Sequence, residues 1–168
     1  DVNISSPIPD VDIYYTLDGS DPRNSATAQI RKSPCTVRID PNSKLNRGKT
    51  PAVVLRASTI KAEYDFSEVA TRTYIFVNKV KEQTEYPGHD WPSASMVNDQ
   101  EIDLLVDPDI IDDPRYSELM DDALLEIPSF SIVTDNKNLF DAETGIYVNA
   151  WNNRGYEWER AASIELIN

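Results

Sequence analysis

Two prolines, Pro114 and Pro128, bracket the stretch that most restricts how this chain can fold. Asp113 is a good N-cap, and Pro114 suits the first helical position, where its missing N–H costs nothing. Tyr116, Leu119, Met120, Ala123 and Leu124 then recur at helical spacing, against an acidic face of Glu118, Asp121, Asp122 and Glu126. Pro128 cannot continue that helix and pushes Ile127 towards an extended conformation. One clear helix is therefore expected near 114–126. Beyond it, Ser129 to Thr134 alternates polar and apolar and reads as a strand. Asp135 to Asn138 is turn chemistry, Leu139 and Phe140 return to a core, and Asp141 to Gly145 leads into a further strand at Ile146 to Val148. This is the beginning of an α+β unit.

The last twenty residues extend that reading. Asn152-Asn153-Arg154-Gly155 is a hairpin turn by composition. The strand expected after it places Trp158, Arg160, Ala162, Ile164 and Leu166 on one face. Arg160 on that apolar side needs a partner, expected among the carboxylates of the helix or connector. Glu157, Glu159 and Glu165 share the other face. Paired carboxylates are what a glycosidase needs, but a solvated strand face explains them more simply. Trp151 and Trp158 read first as aromatics packed in a hairpin core and second as rings that stack on sugars. An unpaired edge on the final strands, or pairing within 146–166, makes association a hazard.

In the first half, Asp12 to Leu17, Cys35 to Ile39, Ala52 to Ala62 and Ala70 to Val77 are strand-like and separated by turn clusters. With no credible helix among them, they imply a small antiparallel β-sandwich. Arg23 to Gln29 reads as a long polar loop. Asp18 and Asp21, three apart in a dense turn, are weak candidates for a metal such as calcium, which needs more oxygens than two carboxylates supply. Turn closure is the simpler role for both. Cys35 is the only cysteine, so it forms no intrachain disulfide and reads as a small buried residue.

Charge divides the chain. Residues 1–77 carry ten Lys/Arg and nine Asp/Glu, a net of +1, whereas residues 78–168 carry six and twenty, a net of −14, giving −13 overall. A second half this acidic repels phosphate backbones and anionic surfaces, which argues against nucleic acid as a partner. No apolar run approaches the roughly 18 residues of a membrane span. Between the halves, Val80 to Asp113 is punctuated by Pro87, Pro92 and Pro108 and is expected to be an extended connector anchored by Trp91. His89 beside Asp90 has the form of a base and its orienter, but without a nucleophile motif it reads as a turn histidine. The chain opens at Asp1 without Met and stops after a strand-like run, so a piece of a longer protein is expected.

Two resemblances accompany these readings. YYTLDGSDPR, SPCTVRI, LRASTIKA and SEVATRTYIF resemble the chitobiase/β-hexosaminidase C-terminal-type module, a fibronectin type III-like sandwich in secreted bacterial proteins. That resemblance implies an accessory role as a spacer or glycan-contacting module. IPSFSIVTDNKNLFDAETGIYVNA followed by EWERAASIELI resembles the opening of the CotH kinase family, related to spore coat protein H. It implies an ATP- and magnesium-dependent phosphotransferase core downstream of Asn168, in a long, exported bacterial protein at the cell surface or outside it. A phosphate cradle needs glycines two or three apart near a lysine, and the five glycines here are spaced too widely. No catalytic, cofactor-binding or metal-binding residue is therefore carried onto this chain.

The resulting expectation is a mostly β protein: a sandwich over 1–78, a proline-rich acidic connector over 79–113, and a truncated α+β unit with one clear helix over 114–168. The expected function is a non-catalytic accessory module leading into a CotH-like kinase domain. Its partners would be the downstream remainder of the same chain and a polysaccharide or cell-surface protein. The alternatives are a carbohydrate-binding or adhesive appendage, with Trp91, Trp151, Tyr14 or Tyr15 as glycan contacts, and a glycoside hydrolase fragment.

Overall fold

Ile13 and Tyr15 point to the same side of one strand and meet Leu55 from its neighbour, and these side chains with Val37 form the buried core of the first unit. A computed structural model describes residues 1–151 and 153–168. The first six strands are β1 (Val2–Ile4), β2 (Asp12–Thr16), β3 (Gln29–Lys32), β4 (Cys35–Val37), β5 (Ala52–Ile60) and β6 (Ala70–Ile75). They form a four-stranded antiparallel sheet in the order β3-β2-β5-β6 and a two-stranded antiparallel pair, β1-β4. Val2, Ile4 and Cys35 of the pair close over the larger sheet, giving the two-layered sandwich expected from the alternating strands. Cys35 is free and half-buried at the edge of this core. The polar loop expected up to Gln29 ends instead in β3, an edge strand that pairs Gln29 to Lys32 with β2.

The connector holds more regular structure than its prolines imply. A 3-10 helix covers Val77–Glu82, β7 (Met96–Val97) and β8 (Gln100–Glu101) make a tight hairpin, and α1 spans Pro108–Ile111. The single helix expected near 114–126 is divided into α2 (Pro114–Ser117) and α3 (Met120–Glu126). Asp113 caps α2 as expected, accepting from the Arg115 amide. The division has a visible cause. Lys81 Nζ donates to the Ser117 carbonyl at 3.1 Å, the oxygen that a continuous helix would offer to residue 121, and also pairs with Asp121 at 3.3 Å. Among the described residues, no helix is long and apolar enough to cross a membrane.

Strand β9 (Ser129–Val133) lies where alternation placed it, and is followed by α4 (Asn136–Phe140) where a turn was expected. Ile146 to Val148 is not a strand, because its amides bond back to the Asn138 and Leu139 carbonyls of α4. Of the expected hairpin turn, Asn152 lies outside the described residues. The strand after it is confined to β10 (Ser163–Ile167), with Tyr156–Trp158 wound into a 3-10 turn, so the glutamates do not line one strand face. β10 pairs antiparallel with β9, opposing Ile164 to Ile132 and Leu166 to Phe130. Arg160 donates to the carbonyls of Glu157, Glu159 and Thr144 and lies over the Trp158 ring, so carbonyls replace the expected carboxylate.

The two units meet along a polar seam. Thr71 and Thr73 of β6 exchange hydroxyl hydrogen bonds with Ser163 and Ser131, at 3.0 and 2.7 Å, and Arg72 pairs with Glu165 at 3.3 Å. Val133 is buried at one end of this seam, its methyl 3.5 Å from where a side chain on Gly19 would begin. The ribbon of β9 and β10 therefore turns its serines and Glu165 inward and its large apolar side chains outward.

Candidate functional site

The turn Asp18-Gly19-Ser20-Asp21 faces α4 across a groove. Asp18 closes the turn by accepting from the Ser20 amide at 3.0 Å and from the Ser20 and Thr27 hydroxyls, each at 2.6 Å. Gly19 sits at φ +82°, a conformation that side chains oppose, and its carbonyl accepts from Arg56. Asp21 is gripped by the Arg23 guanidinium, which together with the Arg23 amide holds its carboxyl below the usual carboxylate range despite some burial. Both weak metal candidates are thus engaged by protein donors. Among the described residues, no group of three or more His, Cys, Asp or Glu converges as a metal site would require.

Two adjoining cavities, of about 450 and 350 Å³, make up the groove and share Asp18, Gly19, Thr134 and Asn136 in their walls. The first continues past Asp90, Phe140 and Asp141, and the second passes Arg47, Trp91 and Leu139. Asp141 accepts from the Thr144 amide and hydroxyl and from the Glu143 amide, which pull its carboxyl below the usual range. Arg47 is buried, and its guanidinium is spent on the carbonyls of Pro41, Ser43, Thr50 and Ala52. The carboxyls of Asp21 and Asp141, held this way, stay ionised at neutral pH and are poor proton donors.

The aromatic candidates separate clearly. Tyr15 is 5% exposed, its ring inside the sandwich core and its hydroxyl on Gln29, which leaves no free face for a sugar. Tyr14 is half-buried edge-on to Phe66. Trp91 is half-buried in the wall of the groove, lying against Gly48 and 6.1 Å from Phe140, the anchor that the connector was expected to have. Trp151 is 78% exposed, so it is not part of a hairpin core, and its indole N–H donates to Gln100. Gln100 in turn reaches the Tyr147 hydroxyl, which donates to the Glu101 carbonyl. His89 and Asp90 form a local 2.9 Å contact.

Residues 2–74 match the family model described as Fn3 associated. That interval covers the six strands of the sandwich except Ile75, the last residue of β6, and the match suggests a fibronectin type III-like associated module serving as an accessory domain. No curated protein and no solved structure matches the chain. Gln100, Tyr147 and the groove residues Thr134 and Asn136 escaped the sequence reading. They come together only through the β7–β8 hairpin and the turns around α4, and no local pattern marks them.

Proposed function

We propose that the chain is a non-catalytic accessory module joined to the leading segment of a CotH-like protein kinase domain, within a secreted multidomain bacterial protein. The polar seam carries this reading. Strand β6 of the Fn3-associated sandwich holds β9 and β10 through paired hydroxyls and the Arg72–Glu165 contact, so the module supports the start of a second sheet. The resemblance of Ile127 to Ala150 to the CotH opening supports the identity of what is held. In this reading ATP and magnesium are handled by residues beyond Asn168.

Titration with MgATP tests it, on this chain and on a longer product of the native gene. Binding by the longer protein alone is the expected result. Tight binding by the 168-residue chain would refute the assignment of the phosphate site to later residues. Binding by neither would remove the kinase reading and leave the accessory module.

One observation favours a second reading, that of a carbohydrate-binding appendage. The exposed Trp151 ring is held by Gln100, which also reaches the Tyr147 hydroxyl, an arrangement that presets an aromatic face for stacking at little entropic cost. Quenching or enhancement of tryptophan emission by a neutral polysaccharide, absent in Trp151→Ala, is the expected result. An unchanged response in that variant would exclude Trp151 as the contact.

A further inference from the structure

The break between α2 and α3 is shallow. Glu118 (φ −75°, ψ −23°) and Leu119 (φ −93°, ψ −11°) both keep right-handed helical backbone. The Leu119 amide reaches the Tyr116 carbonyl, three residues back, so a single tightened turn separates the two helices. Changes in ψ of about 20–30° at these two residues would restore one continuous helix. The sequence from Arg115 to Glu126 contains no glycine or proline, the usual causes of a kink. Its apolar residues are spaced for a single stripe, yet in the broken form Tyr116 and Leu119 are exposed while Met120 and Leu124 are half-buried.

The tight turn is held from outside, by the connector. Lys81 belongs to the 3-10 helix Val77–Glu82, which packs against α3. Its Nζ donates to the Ser117 carbonyl at 3.1 Å and lies 3.3 Å from the Asp121 carboxylate. A straight helix needs that carbonyl for the Asp121 amide, and an ammonium is the stronger, charge-assisted donor. Nearby cations do not replace it, because Lys79 is committed to Glu82 and Arg115 to Asp113.

We propose, independently of the kinase reading, that residues 114–126 are a two-state element pinned by Lys81. The segment is kinked while the Lys81 ammonium holds the Ser117 carbonyl, and straight once that ammonium is neutralised or its 3-10 helix is drawn away. The two states lie close in free energy. The kinked one exchanges a backbone hydrogen bond for a charge-assisted bond and an ion pair whose lysine is 32% exposed. Straightening brings Tyr116, Leu119, Met120, Ala123 and Leu124 onto one face, so the pin decides whether a continuous apolar stripe is presented. Because the 3-10 helix directly follows β6, a shift of the sandwich reaches the acidic helices through one side chain.

Nuclear magnetic resonance on the whole chain and on its Lys81→Met and Asp121→Asn variants distinguishes the two states. Lys81→Met is expected to slow exchange of the Asp121 amide about fivefold, the net worth of one backbone hydrogen bond, and to move the Glu118 and Leu119 Cα shifts to helical values. Asp121→Asn keeps Lys81 on the Ser117 carbonyl and is expected to leave those shifts as they are in the native chain. Faster exchange throughout α2 and α3 in Lys81→Met would show that the lysine merely supports the helices, and would overturn the proposal. So would an unchanged Asp121 amide in that variant, or straightening in Asp121→Asn. Should Lys81→Met fail to fold, the native chain decides. Its Lys81 ammonium protons are expected to exchange with water several-fold more slowly than those of Lys137, whose side chain is 76% exposed, and equal rates would overturn the pin.

Discussion

Gly48 has no side chain because Trp91 stands where one would begin. A Cβ there would lie 2.6 Å from the indole Cδ1 and 2.9 Å from the Gly88 carbonyl oxygen, a backbone atom that cannot swing aside. Gly48→Ala should therefore displace Trp91 and cost about 1–3 kcal/mol, read from urea denaturation together with a shift in tryptophan emission. Asp18 has a comparable role in its own turn, and Asp18→Ala, which removes the acceptor of the Ser20 amide and of the Ser20 and Thr27 hydroxyls, should cost about 1–2 kcal/mol in the same assay. The pH dependence follows from Asp21 and Asp141, whose carboxyls are depressed in the folded chain by Arg23 and by the Thr144 and Glu143 donors respectively. A depressed folded value adds stability that is complete above the unfolded pKa of about 4 and is lost as pH falls through the lower folded values. Urea midpoints should drop on acidification below that point, and Asp21→Asn should flatten part of the drop.

At the scale of elements, the seam stands or falls on Val133 and the hydroxyl pairs. Val133→Ala removes buried methyls at the junction with Gly19 and Val54 and should cost about 2 kcal/mol, whereas Ile132→Ala on the next, outward position should be nearly silent. That contrast, measured by thermal unfolding, is the opposite of what hydrophobicity alone would give. It also marks how far the sequence could be read. Alternation located β9 and part of β10 but put the wrong side in water: the glutamate face was read as solvated, yet Glu165 turns inward to Arg72 while Ile164 and Leu166 face out, because the partner face is the hydroxyl row of β6, far away in the chain. Strands β2, β5 and β6 are legible from their β-branched and aromatic residues, while β3, with Gln29, Arg31 and Lys32, has the composition of a loop and is a strand only through its pairing with β2. The helix start at Asp113 is local chemistry and was readable. Its interruption after Ser117 depends on Lys81, 36 residues earlier, and was not. The groove shares that limit: Asp18 and Trp91 stand out in the sequence, but Thr134 and Asn136 join them only once the units are docked.

Across the whole molecule, stability should be graded rather than uniform. Strands β2 and β5 are paired on both sides and contribute Ile13, Tyr15 and Leu55 to the main core, whereas the ribbon has two strands and an uncovered face. Amides of β2 and β5 should exchange slowest and those of β9 and β10 appreciably faster, as mass spectrometry of deuterium uptake at low protein concentration would show. Order of assembly follows from the seam as well. Thr71 and Ser163 are 92 residues apart, and everything the sandwich needs precedes position 76. At a synthesis rate of about 5–20 residues per second, the sandwich has several seconds to complete itself on the ribosome before its ribbon emerges. The nascent chain thus meets its later half with a finished hydroxyl-lined template already in place, and β6 serves as the mould on which the second sheet is cast.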